Sequence, residues 1–245
     1  MTISFSKIYN LAAQRKNGSE NLELILPKKI PDNYIKGIPS DRFLSAMTQC
    51  VFQSGFVWKV IAKKWPEFEE AFYNFNLNTL IDLPPRIWEA YAQDKRIVRN
   101  PQKISTVFKN AMMILDIETE NNCTIAEFLV DWPKTNQIDL LALLKQRGDR
   151  LGGMTGQYFL RKMGIDCFIL SRDVVAALQH AGLDIKPNPS SKKDLKTIQE
   201  QFNSWQNETG RSYSQISKIL AYSIGENYDA QFIKDEISKH ELQKN

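Results

Sequence analysis

The sequence predicts an all-α fold. Three observations carry that expectation: apolar residues recur at helical spacing in one segment after another, glycine and proline close those segments at helix-length intervals, and no stretch alternates in the manner of a strand. At 245 residues the chain has enough length for one large domain or two small ones, each with a real core.

In chain order, residues 4–16 predict a short helix ending near Gly18, and residues 20–26 a second. Pro27, Pro31 and Pro39 punctuate a loop, after which Ser40 and Asp41 are expected to cap the strongest helix. Its apolar positions Phe43, Leu44, Met47, Val51, Phe52 and Val57 carry the pattern to about Lys64, with Gly55 as a kink or a point of close approach. Trp65 and Pro66 are expected to begin a new helix, because proline fits best at an early helical position. Further helices follow Pro84–Pro85, open at Asn100–Pro101, and cover 124–131 and 138–146. Beyond the centre, Ser171 should cap a helix stopped by Gly182; residues 194–208 and 213–224 are helical, and 231–239 form a last, polar helix.

The centre, residues 147–178, predicts helix, glycine turn, helix. Paired glycines, Gly152 and Gly153, let backbone N–H groups approach another surface, because no Cβ intervenes. N–H groups at a turn and a helix N-terminus bind anions, phosphate above all. Arg147, Arg150, Arg161 and Lys162 surround the turn with positive charge. An ordinary tight connection in a helical protein would carry the same glycines.

Composition narrows the classes. An apolar content of 42% and a charged content of 24% are those of a globular protein. The net charge of +4 permits a nucleic-acid partner without requiring one. Cys50, Cys123 and Cys167 are scattered, without a C-x-x-C, which argues against a disulfide framework and for a reducing compartment. With His180 and His240 as the only histidines, a Cys/His zinc site is not expected. No signal peptide, membrane span, internal repeat or low-complexity tract is expected either.

Residues 41–76, DRFLSAMTQCVFQSGFVWKVIAKKWPEFEEAFYNFN, resemble the core segment of 3-methyladenine DNA glycosylase I. FQSGFVW (52–58) stands for an FQAGLSW-type motif, FEEAFYNF for an F-x-x-AF-x-x-F stretch, and RIVRNPQKI (96–104), followed by Asn110–Ala111, for an I-I-R-N/H-R-x-K-I signature. Residues 147–178 resemble the helix-hairpin-helix element of the wider DNA glycosylase superfamily. The resemblance implies two helical lobes with an active-site cleft between them: residues 41–145 as one lobe, 146–182 as the hairpin element and following helix, and 183–245 completing the second lobe with the N-terminus. It implies base-excision hydrolysis of alkylated purines such as 3-methyladenine, double-stranded DNA with a damaged base as partner, a cytoplasmic monomer, and no cofactor. It also implies a non-catalytic damage-binding protein or a glycosylase of other specificity as rival readings, because of its departures.

Those departures are specific. The family's zinc segment is missing, so no metal is expected. The family's base-pocket glutamate, counted back from Trp58, falls on Cys50, with Gln49 adjacent. The superfamily's catalytic aspartate, aligned on Val174, falls on Ser171, leaving Asp173 as the candidate carboxylate. Asp173 would stabilise an oxocarbenium ion and orient water, or would simply complement a helix dipole. Asp166 is a weaker alternative. Trp58 is either a stacking platform or a core tryptophan; Gln53 would line the same pocket, and Tyr158 would face core or DNA. Gly152, Gly153, Thr155 and Arg150 at the hairpin, with Arg99 and Lys103 at a helix start, are the candidate DNA contacts, or else solvated surface.

Overall fold

The computed structural model describes residues 4–234, and within them every regular element is helical. The α-helices are α1 (Phe5–Arg15), α2 (Ser19–Leu24), α3 (Asp32–Lys36), α4 (Ser40–Gln53), α5 (Trp58–Ala71), α6 (Leu77–Ile81) and α7 (Pro85–Ala90). They continue as α8 (Pro101–Asn121), α9 (Ile125–Asp131), α10 (Gln137–Arg147), α11 (Met154–Lys162), α12 (Arg172–His180), α13 (Lys192–Thr209) and α14 (Tyr213–Ser223). Of the expected final helix, residues 230–234 are helical and the remainder lies outside the described residues. Contacts divide the chain into two compact units, residues 30–165 and residues 1–29 with 166–245.

The middle unit is built on α4, whose residues Phe43 to Phe52 are all buried, packed against α8 and α11. Phe43 meets Phe159 of α11, and Phe52 meets Phe68 of α5 edge-on at 4.9 Å. The other unit closes on α1, α12, α13 and α14. Phe168 stacks on Phe202 at 4.4 Å, and Phe5 packs on Trp205.

Three expectations need correction in the middle unit. First, the strong helix does not run to Lys64. It stops at Gln53, Gly55 takes a positive φ of 70°, and α5 begins at Trp58. Pro66 lies inside α5, on its exposed side, where solvent can take the carbonyl that proline leaves unpaired. Its neighbour Trp65 anchors the turn: the ring stacks on Phe68 and Phe75, and its indole N–H donates to Glu69 at 3.0 Å. Glu69 also accepts from Ser45 and from both terminal nitrogens of Arg42, so one carboxylate joins α4 to α5.

Second, Ser40 does not cap α4. Pro39 holds the cap position, and the Ser40 hydroxyl donates to Glu118 of α8, which also accepts the Ile125 N–H. Third, the proline-punctuated loop holds the short helix α3, entered through Pro31. Other caps are as expected: Asn100 accepts from the Lys103 N–H, and Ser171 from the Val174 N–H.

The connection between α10 and α11 has a steric requirement at two glycines outside the predicted pair. A Cβ on Gly156 would lie 2.4 Å from the Leu151 carbonyl oxygen, and one on Gly148 would lie 2.7 Å from the Leu144 carbonyl oxygen. On Gly152 it would meet only the flexible Lys145 side chain, from 3.1 Å outward. Gly156→Ala should therefore destabilise the protein by about 1–3 kcal/mol through overpacking against backbone, while Gly152→Ala stays within about 0.5 kcal/mol of the parent, as surface substitutions do. Urea melts of the two variants check this; equal midpoints would mean that the turn does not pack as described.

Candidate functional site

The hairpin of the middle unit is fastened to α8. The fully buried Asn110 donates from its amide nitrogen to the Asp149 carbonyl at 3.2 Å and accepts the Asp149 N–H at 2.8 Å. Lys109 pairs with the Asp149 carboxylate at 2.8 Å, and Arg150 donates to Gln102 at 2.6 Å. Arg150 takes a left-handed backbone at φ 60°. Gly153 combines φ 59° with ψ −137°, a conformation that L side chains avoid. No side chain caps α11, so the leading N–H groups at the exposed Gly153–Met154 turn remain available to an outside acceptor. Thr155 follows, half-buried.

The basic residues around the hairpin and at the start of α8 are only partly displayed. Arg147 forms a two-pronged pair with Glu120, which ties α10 to α8. Lys103 donates to the carbonyls of Phe52 at 3.2 Å and Ser54 at 2.7 Å. It thereby closes the C-terminal end of α4, and burial with Arg150 nearby lowers its pKa. Arg96 is held by Asp94 and Glu70. Arg99 is exposed and has no partner among the described residues.

Beside the hairpin, Trp58 stands at the first position of α5 with 48% of its surface exposed. The ring meets Tyr158 of α11 edge-on, with centroids 5.1 Å apart. A ring this exposed does not lie in the core. Burial raises the pKa of Tyr158, and the neighbouring Arg161 opposes the shift. Cys50 is buried on α4 with its thiol pushed up to about 11 by desolvation, so it is neutral at ordinary pH; Lys162 lies near enough to oppose that shift. Gln49 and Gln53 lie one turn apart on α4, and neither side-chain amide has a hydrogen-bond partner among the described residues. A separate apolar pocket of about 490 Å³ lies over Trp88, Phe108 and Ile104 and contains none of these residues.

In the other unit, Asp173 is exposed in the first turn of α12, and its carboxylate makes no hydrogen bond or ion pair among the described residues. Asp166 is engaged: its two oxygens accept the N–H groups of Tyr213 and Ser214 at 3.1 and 2.9 Å, which caps α14.

Sequence reasoning missed Gly148, Gly156 and the role of Asn110. A glycine within the helical pattern at 156, where alanine is more favourable by about 1 kcal/mol, was the available signal for close approach. Asn110 stood inside a quoted motif, but pairing with a peptide 39 residues away leaves no local trace.

Residues 39–149 match the family model described as methyladenine glycosylase, which bears out the motif resemblance over somewhat under half of the chain. No curated protein matches the sequence. Among solved structures, an 8-oxoguanine glycosylase/lyase of Methanocaldococcus jannaschii in complex with DNA containing 8-oxoguanine is 12% identical, with 88% of this chain and 96% of that one covered at a TM-score of 0.51. The fold is that of the helix-hairpin-helix DNA glycosylases. The 3-methyladenine DNA glycosylase I of Staphylococcus aureus is also similar: 21% identity, 67% of this chain and 95% of that one, TM-score 0.47. A variant of 3-methyladenine DNA glycosylase I in complex with 3-methyladenine is 22% identical over 67% of this chain and 96% of that one, with the same TM-score of 0.47. In this glycosylase fold the described residues contain no group of three or more His, Cys, Asp or Glu side chains arranged to hold a metal ion. No helix among them is long and apolar enough to cross a membrane.

The Asn110 clamp gives a direct prediction. Asn110→Ala leaves a peptide N–H and a carbonyl without partners, which should cost about 1–3 kcal/mol. Amide exchange at Asp149 should accelerate more than exchange within α4. Unchanged protection at Asp149 would show that the hairpin is held by other contacts.

Proposed function

We propose that the protein is a monofunctional glycosylase of DNA base-excision repair, hydrolysing the N-glycosidic bond of alkylated purines such as 3-methyladenine in duplex DNA. One observation carries the reading: the tryptophan that ends FQSGFVW is a half-exposed ring beside the hairpin helix, inside the segment that matches the methyladenine glycosylase model. The protein would act as a monomer, and the family suggests a cytoplasmic or nucleoid setting.

The chemistry follows from the leaving group. A purine alkylated on a ring nitrogen carries positive charge, so breaking its bond to C1′ sends the electron pair into the ring and releases a neutral base. Little acid catalysis is needed. The flipped base would stack on Trp58, and cation–π attraction contributes about 0.5–2 kcal/mol. Gln49 and Gln53, with unpaired amides, would hydrogen-bond its edge beside Cys50. Asp173 would face the sugar, stabilise the developing oxocarbenium ion, and take the proton of the water whose oxygen bonds to C1′. The N–H groups at Gly152, Gly153 and Thr155, with Arg150 and Arg99, would hold a phosphate. That contact reads no sequence. Lys103 supports this interface indirectly, by closing α4.

A second reading has its own observation. Cys50 stands where the family's pocket glutamate falls and is neutral. Without that carboxylate, the protein would grip a damaged base and release it uncut, or would accept a different base. Incubation with N-methylated duplex DNA separates the readings: free methylated purine supports the enzyme, and tight lesion binding without release supports the binder.

Two variants test the roles. Trp58→Ala should weaken lesion binding by about 1–3 kcal/mol and slow release. Because the ring is half-exposed, its melting temperature should stay close to that of the parent; a large stability loss would return Trp58 to a packing role. Asp173→Asn should slow single-turnover release with lesion affinity preserved, since its charge matters most in the transition state. Full turnover in that variant would remove the catalytic assignment. Affinity for undamaged duplex should fall with salt by counterion release, and a salt-independent affinity would contradict the phosphate grip.

A further inference from the structure

The end of α1 carries two adjacent cations that grip one segment of chain. Arg15 donates from Nε to the Tyr222 carbonyl at 3.0 Å and from Nη2 to the Gly225 carbonyl at 2.5 Å. Lys16, only 2% exposed, donates to Asn227 Oδ1 at 3.1 Å and the Tyr228 carbonyl at 2.5 Å, and its ammonium stands 5.0 Å from the Tyr222 ring centroid. The Tyr222 carbonyl is one of the open acceptors at the end of α14, where a cation is doubly favoured. The two side chains thus seat residues 222–228.

That segment passes beside Asp173. Gly225 has φ 77°, and a Cβ placed on it would fall 2.9 Å from the Asp173 Cγ and 3.0 Å from each carboxylate oxygen. The absence of a Cβ at 225 therefore leaves the room that the carboxylate occupies. Asp173 has no hydrogen-bond or ion-pair partner among the described residues to fix its rotamer. A carboxylate in an exposed first turn would otherwise swing between staggered rotamers. A glycine at this point bounds the space in which the carboxylate can turn without engaging its lone pairs, which suits a group that must face a cation and a water.

We propose that Gly225, seated by Arg15 and Lys16, is a positioning residue for Asp173. The inference rests on the catalytic reading of Asp173 given above, and its test keeps the two apart. Gly225→Ala is made alone and in the Asp173→Asn background, and a milder variant, Arg15→Gln, loosens the segment without adding bulk. Release is measured under single turnover on N-methylated duplex DNA, beside affinity for the same duplex and thermal melts.

Displacing a reacting group by a fraction of an ångström to an ångström costs on the order of tenfold to a hundredfold in rate. Gly225→Ala should slow release by about that factor with duplex affinity unchanged, and should add nothing in the Asp173→Asn background. Arg15→Gln should slow release less, and only when Asp173 is present. An unchanged rate in both Gly225→Ala and Arg15→Gln, beside a slow Asp173→Asn, overturns the positioning role alone. The same slowing by Gly225→Ala with and without the aspartate also overturns it. Full-rate release by Asp173→Asn overturns the catalytic reading itself.

Discussion

The hydrogen bonds between Asn110 and both sides of the Asp149 peptide are the constraint on which the middle unit's surface depends. A hairpin exposed to solvent has few apolar contacts of its own, and its two glycines widen the conformations open to it. A buried amide that satisfies a peptide N–H and carbonyl together removes that freedom at one point. Lys109 and Gln102 add contacts on either side, so α8 acts as the spine to which the turn is tied. The same helix closes α4 through Lys103 and receives Ser40 through Glu118. The start of α5, and with it Trp58, follows from where α4 ends.

Charge at this surface is not a measure of how much of it meets a phosphate. Arg96, Arg147 and Lys103 all belong to the basic set visible in the sequence, and each is engaged within the protein. Exposed ion pairs of this kind add little stability individually. Lys103 differs, because its donors satisfy carbonyls at a helix end that no glycine cap serves. What remains for an external anion is mostly backbone: the uncapped start of α11. An interface of that kind reads geometry rather than charge density.

The two candidate chemical groups are held in opposite ways. Trp58 leans edge-on against Tyr158 and keeps a face open, a geometry in which aromatic quadrupoles attract without full burial. Asp173 has no polar partner among the described residues and occupies space that a side chain at 225 would fill. Between Gln49 and Gln53, the buried Cys50 brings no charge to this stretch of α4. Recognition of a base there, as proposed, would depend on shape, stacking and neutral donors and acceptors.

The sequence by itself determined the helical class, most helix ends and the hairpin, because caps, glycine stops and apolar spacing are local and act over one or two turns. Asn100, Thr124 and Ser171 could be placed at helix starts because each bonds an N–H three residues on. It also carried the family motifs, since these are runs of neighbouring residues. It misplaced the boundary at residues 54–66: a propensity rule put proline first in a helix, whereas the stacking of Trp65 on Phe68 and Phe75 and its bond to Glu69 hold Pro66 within one. Tertiary structure alone decided which cations are free, that Asp166 caps α14, that Trp58 faces outward, and that Gly225 lies beside Asp173. Each of these depends on groups distant in sequence brought to within a few ångströms, and nothing in local spacing encodes such a meeting.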